Sequence, residues 1–392
     1  TPTQTLTPTE TPTASATPTV THTPTETPTA SSTPTPSMTP TWTATATPTA
    51  TCPPEGCVYI LYLPLVLNQP PHTATPTPTL SPTATPTATT ETPGLAHPKD
   101  IVVREDTRDI YVTSRDNNRV YRLDGATLAE EGDAATGSQP WGVDYNPQTG
   151  KLYVAGFAGG DVRVFDGETL ALLKVIPVGP SPTFARVNRA ANKVYVVLYG
   201  SNALAVIDGA TDTLEAKVPT GGVGSWGLTF NAALNRVYVS NRDSGTVTTL
   251  DGNAGYAVLH GQTRGVCGGG IGSSPYGMDF NPQNNRLYIA CAPASRVNTA
   301  AIYSAGAGGL TFLANAALDD GGPDGGGGVA VDTVTGSVYF TNATSGSVTV
   351  VNRNNLVAGS FPTGSHPFGV DVDSTAGRVY VVNRESNDIT VR

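Results

Sequence analysis

Apolar and polar residues alternate in short bursts over the last three quarters of the chain. One stretch, from Asn235 to Gly252, reads Asn-Arg-Val-Tyr-Val-Ser-Asn-Arg-Asp-Ser-Gly-Thr-Val-Thr-Thr-Leu-Asp-Gly. Val237 to Ser240 alternates and is β-branched and aromatic, which predicts a strand. Asn241 to Gly245 has turn chemistry, and Val247 to Leu250 predicts a second strand. Asp251-Gly252 reads as a tight hairpin turn with glycine at positive φ.

The pattern returns. The tyrosine of the first of these strands recurs at Tyr111, Tyr153, Tyr195, Tyr238, Tyr288, Tyr339 and Tyr380, at separations of 42, 42, 43, 50, 51 and 41 residues. Asp-Gly recurs at 124–125, 166–167, 208–209 and 251–252. Upstream of the tyrosines lie short strands that open on glycine, such as Gly142-Val143-Asp144-Tyr145, Gly277-Met278-Asp279-Phe280 and Gly369-Val370-Asp371-Val372. Downstream of Asp-Gly lies a further strand, for example Thr213 to Val218. A period near 42 residues therefore holds four short strands, the size of a propeller blade. The expected fold class is all-β, a seven-bladed β-propeller over 97–392 behind an N-terminal Thr/Pro-rich extended stalk.

The phrases Val-Tyr-Val-Ser-Asn, Val-Tyr-Phe-Thr-Asn and Val-Tyr-Val-Val-Asn, each followed by a valine-rich strand, resemble the YVTN-repeat β-propellers of secreted and surface-layer proteins. The resemblance implies fold more than function, because the family hosts surface-layer components, binding modules and a few enzyme domains. Blade five departs from the pattern: Ala290-Cys291 stands where others have Ser/Thr-Asn, and its turn lacks Asp-Gly. Gly-rich insertions mark 265–274 and 319–328.

Residues 1–51 and 70–96 have a different composition, mostly Thr, Pro, Ala and Ser in Thr-Pro-Thr phrases. They lack the apolar content to offset chain entropy by burial. Proline favours extended polyproline II, and dense Thr and Ser beside Pro read as an O-glycosylated stalk and linker. Net charge is −9 and the basic residues are scattered singly, which argues against nucleic acid as a partner. No stretch has the ~20 apolar residues of a membrane helix, so no membrane insertion is expected. The expected location is extracellular, at the cell surface.

Four cysteines allow three pairings. The local loop Cys52-Pro-Pro-Glu-Gly-Cys57 favours 52–57. Cys267 follows the outer strand of blade four and Cys291 ends the second strand of blade five. Those positions share a face of the ring, which favours 267–291 and an oxidising compartment.

Candidate chemistry is sparse. No His/Cys/Asp cluster has metal-ligand spacing, and no serine or cysteine stands beside a plausible base. Asp319, Asp320 and Asp324 share one Gly-rich loop, but their spacing fits no known calcium loop. The expectation is no enzyme, no catalytic residues, no metal and no cofactor. Trp141, Trp226, Tyr276 and Phe368 each precede the glycine of an innermost strand. They read either as inter-blade packing or as a ring of stacking surfaces for a glycan. Asn342-Ala343-Thr344 is an N-glycosylation sequon.

Between the Thr/Pro-rich stretches, 52–69 carries an apolar segment, Tyr59, Leu61, Leu63, Pro64, Leu65 and Leu67 among its residues. Blade seven, read to Arg392, lacks a fourth strand, and 57–68 is expected to supply it. The 28 residues between Asn68 and His97 span up to roughly 90 Å as polyproline II. That reach favours donation to a neighbour, with other copies of the chain as partners in a filament or surface array. The leading expectation is thus an extracellular structural or adhesive fibre subunit. The alternative is a secreted module that binds a glycan or peptide on a propeller face, with 57–68 closing its own blade seven.

Overall fold

The computed structural model of the chain describes residues 88–91, 94–268, 274–292, 299–319 and 327–392. These form seven antiparallel sheets of four strands each. Blade one covers Pro98 to Ala135, blade two Pro140 to Pro177, and blade three Pro182 to Pro219. Blades four, five and six run from Ser225 to Arg264, Ser274 to Ala317 and Val329 to Pro362. Blade seven begins at Pro367 and takes its three inner strands from the C-terminal end. All seven repeat tyrosines lie on second strands, as their spacing predicts.

The repeat is a set of joints between blades. Tyr111 Oη donates to Gly167 O in the next blade at 2.7 Å, and Tyr380 Oη donates to Gly125 O at 2.8 Å. Tyr153 Oη donates to Asp212 Oδ1 at 2.7 Å, beside Gly209. Each ring is buried, so a hydroxyl without an acceptor costs free energy. Tyr238 shows the exception: register puts Ser304-Ala305 where blades one to four have Asp-Gly, and its hydroxyl finds no acceptor among the described residues. The next motif hydroxyl makes a second joint. Thr113, Ser240 and Thr341 donate to the carbonyls of Trp141, Tyr276 and Phe368 at 2.5, 2.7 and 2.9 Å.

Three expectations are corrected here. The Asp-Gly step is not a two-residue turn with glycine at positive φ. The aspartate caps a longer loop, Asp166 Oδ1 accepting from Thr169 N and Oγ1 at 2.8 Å each. Positive φ falls later, at Leu128, Leu170, Asp212 and Tyr256. Glycine is needed instead for close approach, since a Cβ on Gly125 would lie 2.1 Å from Arg108 O.

The second correction concerns blade seven. Its outer strand is Ala88–Glu91, antiparallel to Asp388–Val391, with Ala88 opposite Val391 and Glu91 opposite Asp388. The place expected for 57–68 is taken by the end of the linker, so the strand identity drawn from Leu63-Pro64-Leu65 does not hold. The segment 57–68 itself, with Tyr59, Leu61 and Leu67, lies outside the described residues.

The third concerns Asn342. It is fully buried, and its Nδ2 donates to Ser347 Oγ at 3.0 Å and Thr349 Oγ1 at 2.9 Å. The motif asparagine locks the hairpin between second and third strands, and its amide has no room for a glycan.

Cys267 and Cys291 are bridged, with Cα atoms 5.5 Å apart. The bridge ties the connection after blade four to the second strand of blade five. Cys52 and Cys57, like Asp320 and Asp324, lie outside the described residues.

Candidate functional site: a central channel closed at one end

The innermost strands surround a channel, and their first residues set its form. A Cβ on Gly227 would lie 2.2 Å from Tyr276 O, one on Gly277 2.2 Å from Gly327 O, and one on Gly328 2.4 Å from Phe368 O. Only glycine lets neighbouring inner strands approach this closely. Blades one and three carry Asp100 and Phe184 at this position and project side chains into the channel waist.

On one side of the waist the residues before these glycines converge. Trp141 of blade two meets Trp226 of blade four at 5.0 Å between ring centroids and Phe368 of blade seven at 6.3 Å. Tyr276 lies 6.0 Å from Trp226, and Phe157 stacks on Trp141 at 4.5 Å. The structure therefore brings all four predicted aromatics together, packed across the axis on one another. Cations cover their faces: Lys99 Nζ sits 5.2 Å from Trp141 and 4.8 Å from Phe368, and the Arg242 guanidinium lies 5.0 Å from Trp226. Lys99 occupies the aromatic position in blade one. Burial, with Arg384 and Arg115 nearby, pushes its amine down to about 7.

On the other side the channel widens into a cavity of about 780 Å³. Its walls are mainly apolar, including Val187, Phe230, Met278, Phe280, Val331 and Val372. Ala190 and Ala233 stand exposed at its rim. One strand position, two residues after the glycine, lines the cavity in every blade with Val102, Asp144, Arg186, Thr229, Asp279, Ala330 and Asp371, and Glu105, Arg189 and several Asn, Ser and Thr side chains add further polar lining.

Each aspartate of that position bridges two blades. Asp144 accepts from its neighbour Tyr145 N and from Val187 N of the next blade, both at 2.7 Å. Asp279 accepts from Phe280 N at 2.8 Å, Val331 N at 3.0 Å and Thr229 Oγ1 at 3.0 Å. Asp371 accepts from Val103 N at 2.7 Å and Val372 N at 2.9 Å, linking blade seven to blade one. Asp100 accepts from Val143 N at 3.1 Å and from the Arg186 guanidinium at 2.9 Å.

Depth raises the carboxyls. Burial pushes Asp144 and Asp279 above the usual carboxylate range, and burial together with the charge of Asp144 brings Asp371 up to about 7. Burial works against the Arg186 charge too, but Asp100 and Asp144 outweigh it and keep the guanidinium ionised. All three ring aspartates retain some surface, because they face the cavity. The sequence showed their signal as Gly-Val-Asp and Gly-Met-Asp, an acid recurring inside an apolar strand. Sequence reasoning passed over it in favour of the adjacent aromatics. Among the described residues, no group of three or more His, Cys, Asp or Glu is placed to hold a metal ion, and no helix is long and apolar enough to cross a membrane.

No protein-family model matches the chain, and no curated protein matches it in sequence. Solved structures match its fold. Kuenenia stuttgartiensis hydrazine synthase superposes with a TM-score of 0.67 at 19% identity, covering 76% of this chain and 96% of that one. The Cps50 (Swd1) β-propeller domain of Myceliophteria thermophila gives 0.62 at 11% identity, over 78% of this chain and 99% of that one. A functionally unknown protein from Desulfotomaculum acetoxidans gives 0.55 at 14%, over 68% and 85%. These likenesses show the seven-bladed propeller fold. They also correct the expectation that the chain has no place among enzymes, because one of the matched structures is an enzyme by name.

Proposed function

We propose that the chain is an extracellular binding protein that takes a small ligand in the cavity of its propeller channel. One observation carries the reading: the channel is filled with aromatic side chains at one end and forms a cavity of about 780 Å³ at the other. Apolar concave sites of this size with a few convergent polar groups are the usual form of small-molecule sites. A propeller is compatible with structural roles as well, but a purely structural ring gains nothing from a wide cavity with carboxylates set around its wall. The Cys267–Cys291 bridge supports an oxidising location, and the Thr/Pro-rich composition of 1–51 and 70–87 supports display on a stalk. The likeness to YVTN repeats points the same way. With Ala88–Glu91 on the edge of blade seven, assembly by strand donation loses its motive, and the binding reading takes precedence over the fibre.

The test is a thermal-shift screen of the full chain against amino acids, sugars, amines, organic acids and nucleosides. The double variant Ala190→Trp, Ala233→Trp narrows the rim and serves as control. The reading expects at least one compound to raise the melting temperature saturably in the wild type and to lose that effect in the control. Absence of any such compound, or equal shifts in both proteins, would overturn it.

A further inference from the structure

We infer that the cavity takes an organic cation, an ammonium or guanidinium group joined to an apolar body of about ring size. This rests on the cavity being the ligand site and goes on to name its ligand class.

Bridging to the next blade accounts for the carboxylates only in part. At the same strand position the other four blades carry Val102, Arg186, Thr229 and Ala330, and the ring closes there without a carboxylate at that position. Three blades nonetheless place Asp144, Asp279 and Asp371 where they face the cavity. The one guanidinium among them is already matched, since Arg186 pairs with Asp100 at 2.9 Å. The three ring aspartates make no ion pair among the described residues; their partners are backbone N–H groups and the Thr229 hydroxyl. Backbone dipoles orient a carboxylate without neutralising it. Glu105 and Arg189, of opposite sign, also line the cavity and offset each other, so its walls carry more carboxylates than cationic groups.

The walls add the second half of the specificity. Phe230 and Phe280 line the cavity, the latter directly following Asp279. A cation beside an aromatic face and a carboxylate is favoured by both, more so where water is scarce. An anion would meet more carboxylates than guanidiniums on these walls, and a neutral apolar molecule would gain only burial. The upward displacement of the three carboxyls is the same imbalance seen from the proton's side. A bound cation would supply the missing charge and release protons as it enters.

The experiment compares benzylammonium, benzyl alcohol and benzoate, one ring with charge +1, 0 and −1, by isothermal titration calorimetry of the full chain at about pH 8. Benzylammonium is expected to bind about tenfold or more tighter than benzyl alcohol, and benzoate to give no saturable heat. Thr229→Lys, which sets an ammonium beside Asp279, is expected to abolish benzylammonium binding while the melting profile confirms folding. Asp279→Asn is the second variant and is expected to weaken it at least about fivefold. If benzyl alcohol binds as well as benzylammonium, the cavity stands as a ligand site and the cation assignment falls. If benzylammonium binds but neither variant weakens it, or if it does not bind at all, the assignment also falls.

Discussion

The two ends of the channel are built from neighbouring residues of the same strands, yet they have opposite characters. At one end Trp141, Trp226, Tyr276 and Phe368 reach past their own blades and fill the axis with packed rings. Three residues further along, Asp144, Asp279 and Asp371 turn sideways to the next blade, hold its backbone and leave the axis open. The difference is one of reach and partner. A large ring gains free energy by burial against other rings. A short carboxylate gains it from nearby N–H groups, which lie on the adjacent strand and not across the channel. One end therefore serves cohesion, and the other remains available.

The largest expected effect breaks the aromatic end. Trp226 is 7% exposed and touches Trp141, Tyr199 and Tyr276. Trp226→Ala is expected to cost about 3–5 kcal/mol in urea unfolding. At the other end, Ala190→Trp on the exposed rim is expected to change stability by no more than about 0.5 kcal/mol. Equal costs for the two would erase the distinction between a cohesive end and an open one.

A smaller effect sharpens the electrostatic half. Asp371 titrates near 7 in the folded protein, chiefly because it is buried, against a reference value of 3.8. A raised carboxyl pKa means that folding takes up a proton. The associated stability is full below about pH 4 and is lost as the pH rises through about 7. Allowing for the surface that Asp371 shows to the cavity, the wild type is expected to lose about 1–3 kcal/mol over that window relative to Asp371→Asn. Parallel pH–stability curves would mean that the carboxyl is not strained at this end.

The smallest effect compares two blade joints. Tyr153→Phe removes a hydroxyl bonded to Asp212 at 2.7 Å and is expected to cost about 1 kcal/mol. Tyr238→Phe removes a hydroxyl with no acceptor among the described residues and is expected to be neutral or slightly stabilising, within about 0.5 kcal/mol.

Much of this joint system was legible in the sequence, because each blade repeats it in register. Tyrosine spacing gave the blade count, and the loss of Asp-Gly in blade five, visible in the sequence, coincides with the irregular joint at Tyr238. The Cys267–Cys291 bridge followed from the same register. What stayed hidden depends on groups that local pattern does not display. The closing strand of blade seven needs only backbone N–H and C=O groups to pair with Asp388–Val391, so Ala88–Glu91 serves without any apolar signature. The apolar 57–68 segment drew attention by composition, which is no requirement for an edge position. Glycine after aspartate suggested a turn, whereas the cause is contact with a separate loop, the Arg108 carbonyl in the case of Gly125. The aspartate ring escaped notice because its partners lie one blade away, about 40 residues along the chain, as Val187 is from Asp144.

The most direct measurement is a crystal structure of the full chain soaked with 4-iodobenzylammonium, with the iodine located by its anomalous signal. The account predicts one site, with the iodine among the apolar cavity walls and the ammonium directed at the carboxylates of Asp144, Asp279 or Asp371. Iodine at the aromatic end of the channel, or an empty cavity at saturating ligand, would contradict it.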